Sequence, residues 1–199
     1  MFRKRQLLRL LIALILILTG QACCLPSKKI GDAVASSRDA ASDNKLIGKW
    51  AKSSSGTRGL DPSGNILNSA YYMSEYTFEQ DGSYSFKGEK WAGYIKADEY
   101  WMIDESGTYV VAENLLTVIP RKSTSTVKNR AGVLLRRQNN QLEKTSYRWV
   151  LHYFAGIDDT NLILQTETET ERDGIFGSND AFPKSYFFSQ KYKPDWKFE

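Results

Sequence analysis

The stretch YTFEQDGSYSF, residues 76–86, leaves little choice of local structure. Tyr76 and Phe78 alternate with Thr77 and Glu79, and Tyr84 and Phe86 alternate with Ser83 and Ser85. Period two puts the rings on one face of a strand pair, and Asp81-Gly82 between them supplies the positive φ that a tight hairpin needs. The pattern recurs along the chain. GTYVVAENLLTVIP (107–120) reads as a hairpin turning at Glu113-Asn114 and ending at Pro120, which has no N–H to give to a ladder. SYRWVLHYF (146–154) places Tyr147, Trp149, Leu151 and Tyr153 on one face and Arg148, Val150, His152 and Phe154 on the other. After a turn at 158–161, LILQTETETE (162–171) reads as extended throughout, with Glu167, Glu169 and Glu171 as a solvated outer row, and SYFFSQKYK (185–193) as the last strand before Pro194.

With residues 46–53 and 100–103 added, the chain has eight to ten short strands and no long amphipathic helix. The fold class expected is all-β, an antiparallel up-and-down barrel over residues 46–199, because closure removes both sheet edges. A two-sheet sandwich is the alternative.

The amino terminus differs in character. Arg3, Lys4 and Arg5 precede an uninterrupted apolar run of nine residues, 10–18. A membrane-spanning helix needs about 20, so this segment reads as a secretory signal. Thr19-Gly20-Gln21-Ala22-Cys23 resembles the bacterial lipobox in its looser form, and that resemblance implies cleavage after residue 22 and lipidation of Cys23. Cys23 and Cys24 are the only cysteines, and adjacent residues are a poor geometric match to a relaxed disulfide. The two or more acyl chains such an anchor carries give stable membrane attachment. Cys24 follows the modified residue where an Asp would signal inner-membrane retention, so the resemblance implies a lipid-anchored envelope protein delivered to the outer membrane. Residues 23–45, rich in Ser, Ala, Asp and Lys and without an aromatic ring, read as a flexible tether.

The signal also carries the charge excess. Residues 1–22 hold four of the 27 basic residues and none of the 23 acidic ones, leaving the remainder formally neutral. The net +4 is therefore no argument for nucleic acid as a partner.

The first strand opens with Gly48-Lys49-Trp50, and here the chain resembles the lipocalin-like, or calycin, group. That resemblance implies a barrel closed at one end by Trp50, a bend at Gly48, and a basic side chain of the last strand, Lys191 or Lys193, packed across the indole.

Catalysis is not expected. His152 is the only histidine and has neither a cysteine outside the anchor nor a nucleophile turn to work with. Asp104-Glu105 and Asp158-Asp159 lack calcium-loop spacing, and no Cys or His set exists for zinc, so neither a metal nor another cofactor is expected. What is abundant is aromatic: five Trp, eleven Tyr and nine Phe. An eight-stranded barrel is either filled by its side chains or leaves room for one small ligand. Tyr76, Phe78, Tyr84, Phe86, Tyr109, Tyr147, Trp149 and Tyr153 either pack the core or line a site for a small apolar or amphipathic molecule. The alternative function is a scaffold whose loop 54–70 binds a protein partner at the envelope.

Overall fold

A computed structural model describes residues 45–57, 63 and 69–198. The signal, Cys23 and all but the last residue of the tether lie outside the described residues. Nine strands are seen among them: β1 (Gly48–Thr57), β2 (Ser69–Phe78), β3 (Ser83–Ala92), β4 (Tyr100–Ala112), β5 (Leu115–Lys128), β6 (Leu134–Asn139), β7 (Thr145–Phe154), β8 (Asp159–Gln165) and β9 (Ser185–Ser189). A single helical turn, Gly93–Lys96, joins β3 to β4. Every pairing is antiparallel. Eight strands close into a barrel in the order β1-β2-β3-β4-β5-β7-β8-β9, sealed where Ala51 of β1 faces Ser189 of β9. β5 is long enough to serve two neighbours: its first residues pair with β7, and residues 124–128 pair with β6, which stands outside the ring.

The hairpins turn where local chemistry allows. Gly82 has φ +82° and Glu113 φ +55°, the left-handed conformations their turns require. Pro120 does not end its ladder. β5 runs through it, because the register shifts there: Ser106 faces Lys122 while Gly107 faces Pro120, leaving Arg121 as an extra residue. A bulge is the one interior place where a missing N–H is tolerated. Gly107 makes the fit possible, since a Cβ on it would sit 2.2 Å from the Ile119 carbonyl oxygen.

Alternation then fills the barrel. Trp50, Tyr76, Phe78, Tyr84, Phe86, Tyr109, Tyr147, Leu162, Leu164, Tyr186 and Phe188 belong to one buried cluster. Its rings meet at offset and edge-on geometries, with Phe78 and Tyr109 5.0 Å apart and Tyr76 and Phe188 5.3 Å apart. A second buried layer lies on the outside of β2–β4. There the carboxyl-terminal residues cover Glu89, which is 1% exposed and accepts hydrogen bonds from the Tyr71 hydroxyl (2.6 Å) and the Lys197 amide (3.1 Å). Phe198 meets Tyr100 edge-on at 5.3 Å.

Two strands stop earlier than their sequences imply. β8 leaves the sheet after Gln165, so the Thr-Glu alternation is not an outer row of strand residues, and β9 ends at Ser189. The apolar residues that anchor β8, Leu162 to Leu164, are spent by then, and threonine and glutamate bring nothing further to bury. β7 starts level with Val118, whereas β4 and β5 continue to Tyr100 and Lys128. The barrel wall is therefore low on the β7–β9 side, and the chain after Gln165 meets the interior there.

Candidate functional site

Residues 169–176 form a strap whose geometry turns on Gly174. Its φ is +73°, its amide donates to the Thr170 carbonyl at 2.9 Å, and a Cβ there would press on the Tyr72 ring at 3.3 Å. This tight turn drives Arg172 and Asp173 into the barrel, where they are 7% and 0% exposed. Burying two charges is costly unless each is paired and its remaining bonds are made.

Most of those bonds are made here by side chains from distant strands. The Arg172 guanidinium donates to Glu105, to the Thr145 hydroxyl at 2.7 Å and to the Tyr147 hydroxyl at 3.2 Å. Asp173 accepts from Tyr76 at 2.8 Å, Tyr147 at 2.5 Å and Thr170 at 2.6 Å, while Tyr84 donates to Glu105 at 2.7 Å. The strap backbone is held as well, since the Tyr72 hydroxyl donates to the Arg172 carbonyl and the Lys52 ammonium to that of Asp173. Burial pushes the phenols of Tyr72, Tyr76, Tyr84 and Tyr147 up, so they stay neutral donors.

Lys52, on β1, lies in an aromatic cage away from the Trp50 indole, across which the Gly-x-Trp resemblance placed Lys191 or Lys193. Its ammonium lies 4.5 Å from the Tyr186 ring centre, 5.2 Å from Phe188 and 5.5 Å from Tyr72. Lys191 instead reaches Asp158 at 2.8 Å on the surface, and Lys193 is also exposed. Trp50 is fully buried, and its indole N–H donates to the Leu46 carbonyl at 2.7 Å, with Gly48 at φ +123° between them.

The chemistry of Lys52 has a measurable consequence. Burial, partly offset by Asp173 and Glu169, lowers its pKa from 10.5 to about 8. Between pH 8 and 10 the unfolded chain keeps a proton that the folded one has released, so stability rises with pH, by up to about 1.4 kcal/mol per unit. Above pH 10 the sign reverses, because the unfolded chain ionises tyrosines that remain protonated when buried. Urea midpoints measured from pH 7 to 11 are expected to rise and then fall; Lys52→Met should abolish the rise and keep the fall.

Above the Arg172–Asp173 layer the barrel opens. On β4, Ile103 and Trp101 follow Glu105 toward the mouth on the inward face, opposite Ser125 and Val127 of β5. Trp101, Ile103, Ser125 and Val127, with Lys90, Arg136, Gln138, Asn140 and the strap residues Glu169, Thr170, Glu171, Gly174 and Ile175, line a cavity of about 510 Å³. Lys90 and Arg136 lie over the Trp101 ring at 5.3 and 5.2 Å from its centre. Arg136 also pairs with Glu99 at 2.6 Å, and Asn140 is fixed between Ser123 and Ser125 at 3.0 and 2.8 Å. The lining thus offers an apolar face, two cations, the amides of Gln138 and Asn140, and, from the strap, the carboxylates of Glu169 and Glu171.

Comparison with family models, with curated proteins and with solved structures finds no match.

The structure brings together Tyr76, Phe78, Tyr84, Phe86, Tyr109 and Tyr147, all within the packed cluster, with Trp149 against its margin. None of these seven lines the open cavity. Tyr153 shares their face but is 55% exposed, since β7 runs past the packed core, and it donates to Asp158 at 2.6 Å. His152 is exposed and meets Phe154 and Phe182 edge-on. The loop expected at 54–70 is partly strand, because β1 reaches Thr57 and β2 opens at Ser69. The residues between, except Ser63, lie outside the described ones. Sequence reasoning missed Lys52, Lys90, Trp101, Glu105, Arg136, Arg172 and Asp173. For the strap a signal existed: Asp173-Gly174 is a turn dipeptide of the same kind as Asp81-Gly82.

Proposed function

We propose that this chain is an envelope lipoprotein, anchored through Cys23, whose barrel binds a small amphipathic molecule without catalysis. The observation that carries the ligand reading is the cavity of about 510 Å³ at the barrel mouth, a size usual for small-molecule sites. Trp101, Ile103 and Val127 suit a flat apolar body; Lys90 and Arg136 suit an anionic or strongly accepting end, and Glu169 and Glu171 of the strap suit a donating group. The packed rings below give that site a rigid floor. The lipobox pattern supports the anchor.

A probe of matching chemistry tests the pocket. 1-Anilinonaphthalene-8-sulfonate joins an aromatic body to a sulfonate, and its binding to the folded protein is expected to weaken about tenfold, roughly 1.4 kcal/mol, when Lys90→Ala and Trp101→Ala are combined. Tyr153→Ala, outside the cavity, should leave it unchanged. Equal affinity in all three proteins would remove the pocket from the reading. Intact-mass analysis of membrane-extracted protein, with and without inhibition of lipoprotein signal peptidase, tests the anchor separately.

A further inference from the structure

We propose that the rim of the barrel mouth is a docking surface for an anionic lipid layer. The rim is built from two tips, the helical turn 93–96 with the residues after it, and the β5–β6 turn. They form one surface, because the Arg130 amide donates to Asp98 at 3.0 Å and Arg136 pairs with Glu99 at 2.6 Å. Large apolar side chains project there without cover: Ile95 is 67% exposed, Val133 57%, Leu134 55% and Leu135 46%. Every residue of β6 is exposed.

Cations are interleaved with them. Segments 90–99 and 128–137 contain six basic residues, Lys90, Lys96, Lys128, Arg130, Arg136 and Arg137, and two acidic ones, Asp98 and Glu99. Both acids are engaged within the rim, Asp98 by the Arg130 amide and Glu99 by Lys96 and Arg136. The chain after residue 22 is formally neutral, so this concentration of positive charge on the two tips is a local asymmetry, with Glu169 and Glu171 of the strap on the cavity side of it. Apolar tips on separate turns, each flanked by Lys or Arg, match a bilayer interface: the tips enter the acyl boundary while the cations stay among anionic headgroups. Each cation near such a surface strengthens binding by about fivefold. A protein partner that added a strand to β6 would use the backbone edge of that strand and would leave Ile95, on the other tip, without a role. The inference does not depend on the cavity being occupied.

The test uses the full chain in vesicles, so that any attachment by the amino terminus is the same throughout. Photoreactive benzoylphenylalanine is placed at Val133 or, as a control, at Ile157, which is 68% exposed in the turn between β7 and β8 at the far end of the barrel. In mixed phosphatidylglycerol and phosphatidylcholine vesicles, lipid adducts are expected from position 133 at about five times or more the yield from 157. The excess should fall in phosphatidylcholine alone, at high salt, and with Arg130→Glu and Arg137→Glu combined, circular dichroism confirming that the fold is kept. Equal yields at the two positions, an excess indifferent to charge reversal, or adducts to protein rather than lipid at 133 would each overturn the proposal.

Discussion

Replacing Arg172 by methionine is expected to lower the stability of the barrel by about 3–5 kcal/mol, read as a loss in urea midpoint with the slope unchanged. The penalty is not the worth of one ion pair. It arises because the carboxyl groups of Glu105 and Asp173, 8% and 0% exposed, would be left in the interior without the guanidinium beside them. Tyr76, Tyr84, Tyr147 and Thr170 would still donate to them, which limits the loss but cannot neutralise two carboxylates. A combined Arg172→Met and Glu105→Gln variant should therefore be more stable than Arg172→Met alone, although it removes one more native group. If the double variant is the worse of the two, the layer is held by packing of the strap rather than by charge pairing.

Gly107→Ala is the second large effect, at roughly 3 kcal/mol. One methyl group would lie 2.2 Å from the Ile119 carbonyl oxygen and 2.8 Å from the Pro120 Cα, and both obstacles are backbone, so no side-chain rotation relieves them. Pro120 makes the site less forgiving, because the bulge that accommodates its missing N–H fixes the approach of β4 to β5. Gly156→Ala is the control: a Cβ there meets nothing within 4 Å, and thermal unfolding should shift far less. Similar losses at the two positions would mean that the bulge can widen at little cost.

Much of the barrel is legible in single strands. The alternation at 76–86 and 146–154 assigns inward and outward faces correctly, and the turn dipeptides place the hairpins, because both are properties of a few neighbouring residues. Where the same logic fails, a distant partner intervenes. Pro120 stays in its strand because Gly107 lets the opposing backbone come close, and Thr166 onward leaves the sheet where β9, its partner on one side, begins at Ser185 opposite Gln165. Burial of Met73, Glu89 and Met102 on the outer face of β2–β4 follows from a carboxyl-terminal segment that lies more than 90 residues further along the chain.

The candidate site was less legible for the same reason. Its aromatic residues were recognisable as inward-facing, but whether an inward ring fills space or lines it depends on how much of the barrel its neighbours occupy. Rings crowd the half that holds Trp50 and Phe78, and the free volume lies at Trp101 and Ile103. Charged residues are read from sequence as solvated by default, so Arg172, Asp173 and Glu105 gave no sign of meeting; Arg172 and Glu105 are 67 positions apart, and Asp173 and Tyr76 are 97.

The sequence by itself determined an all-β chain of short hairpins with its rings on one face, and a formally neutral composition beyond residue 22, because these depend on local periodicity and on counting. Only the tertiary structure decided which lysine meets the aromatic cage, where β8 ends and what closes the low side of the barrel. Those outcomes depend on strand register and relative strand length, which bring groups together across most of the chain and are not properties of any one segment.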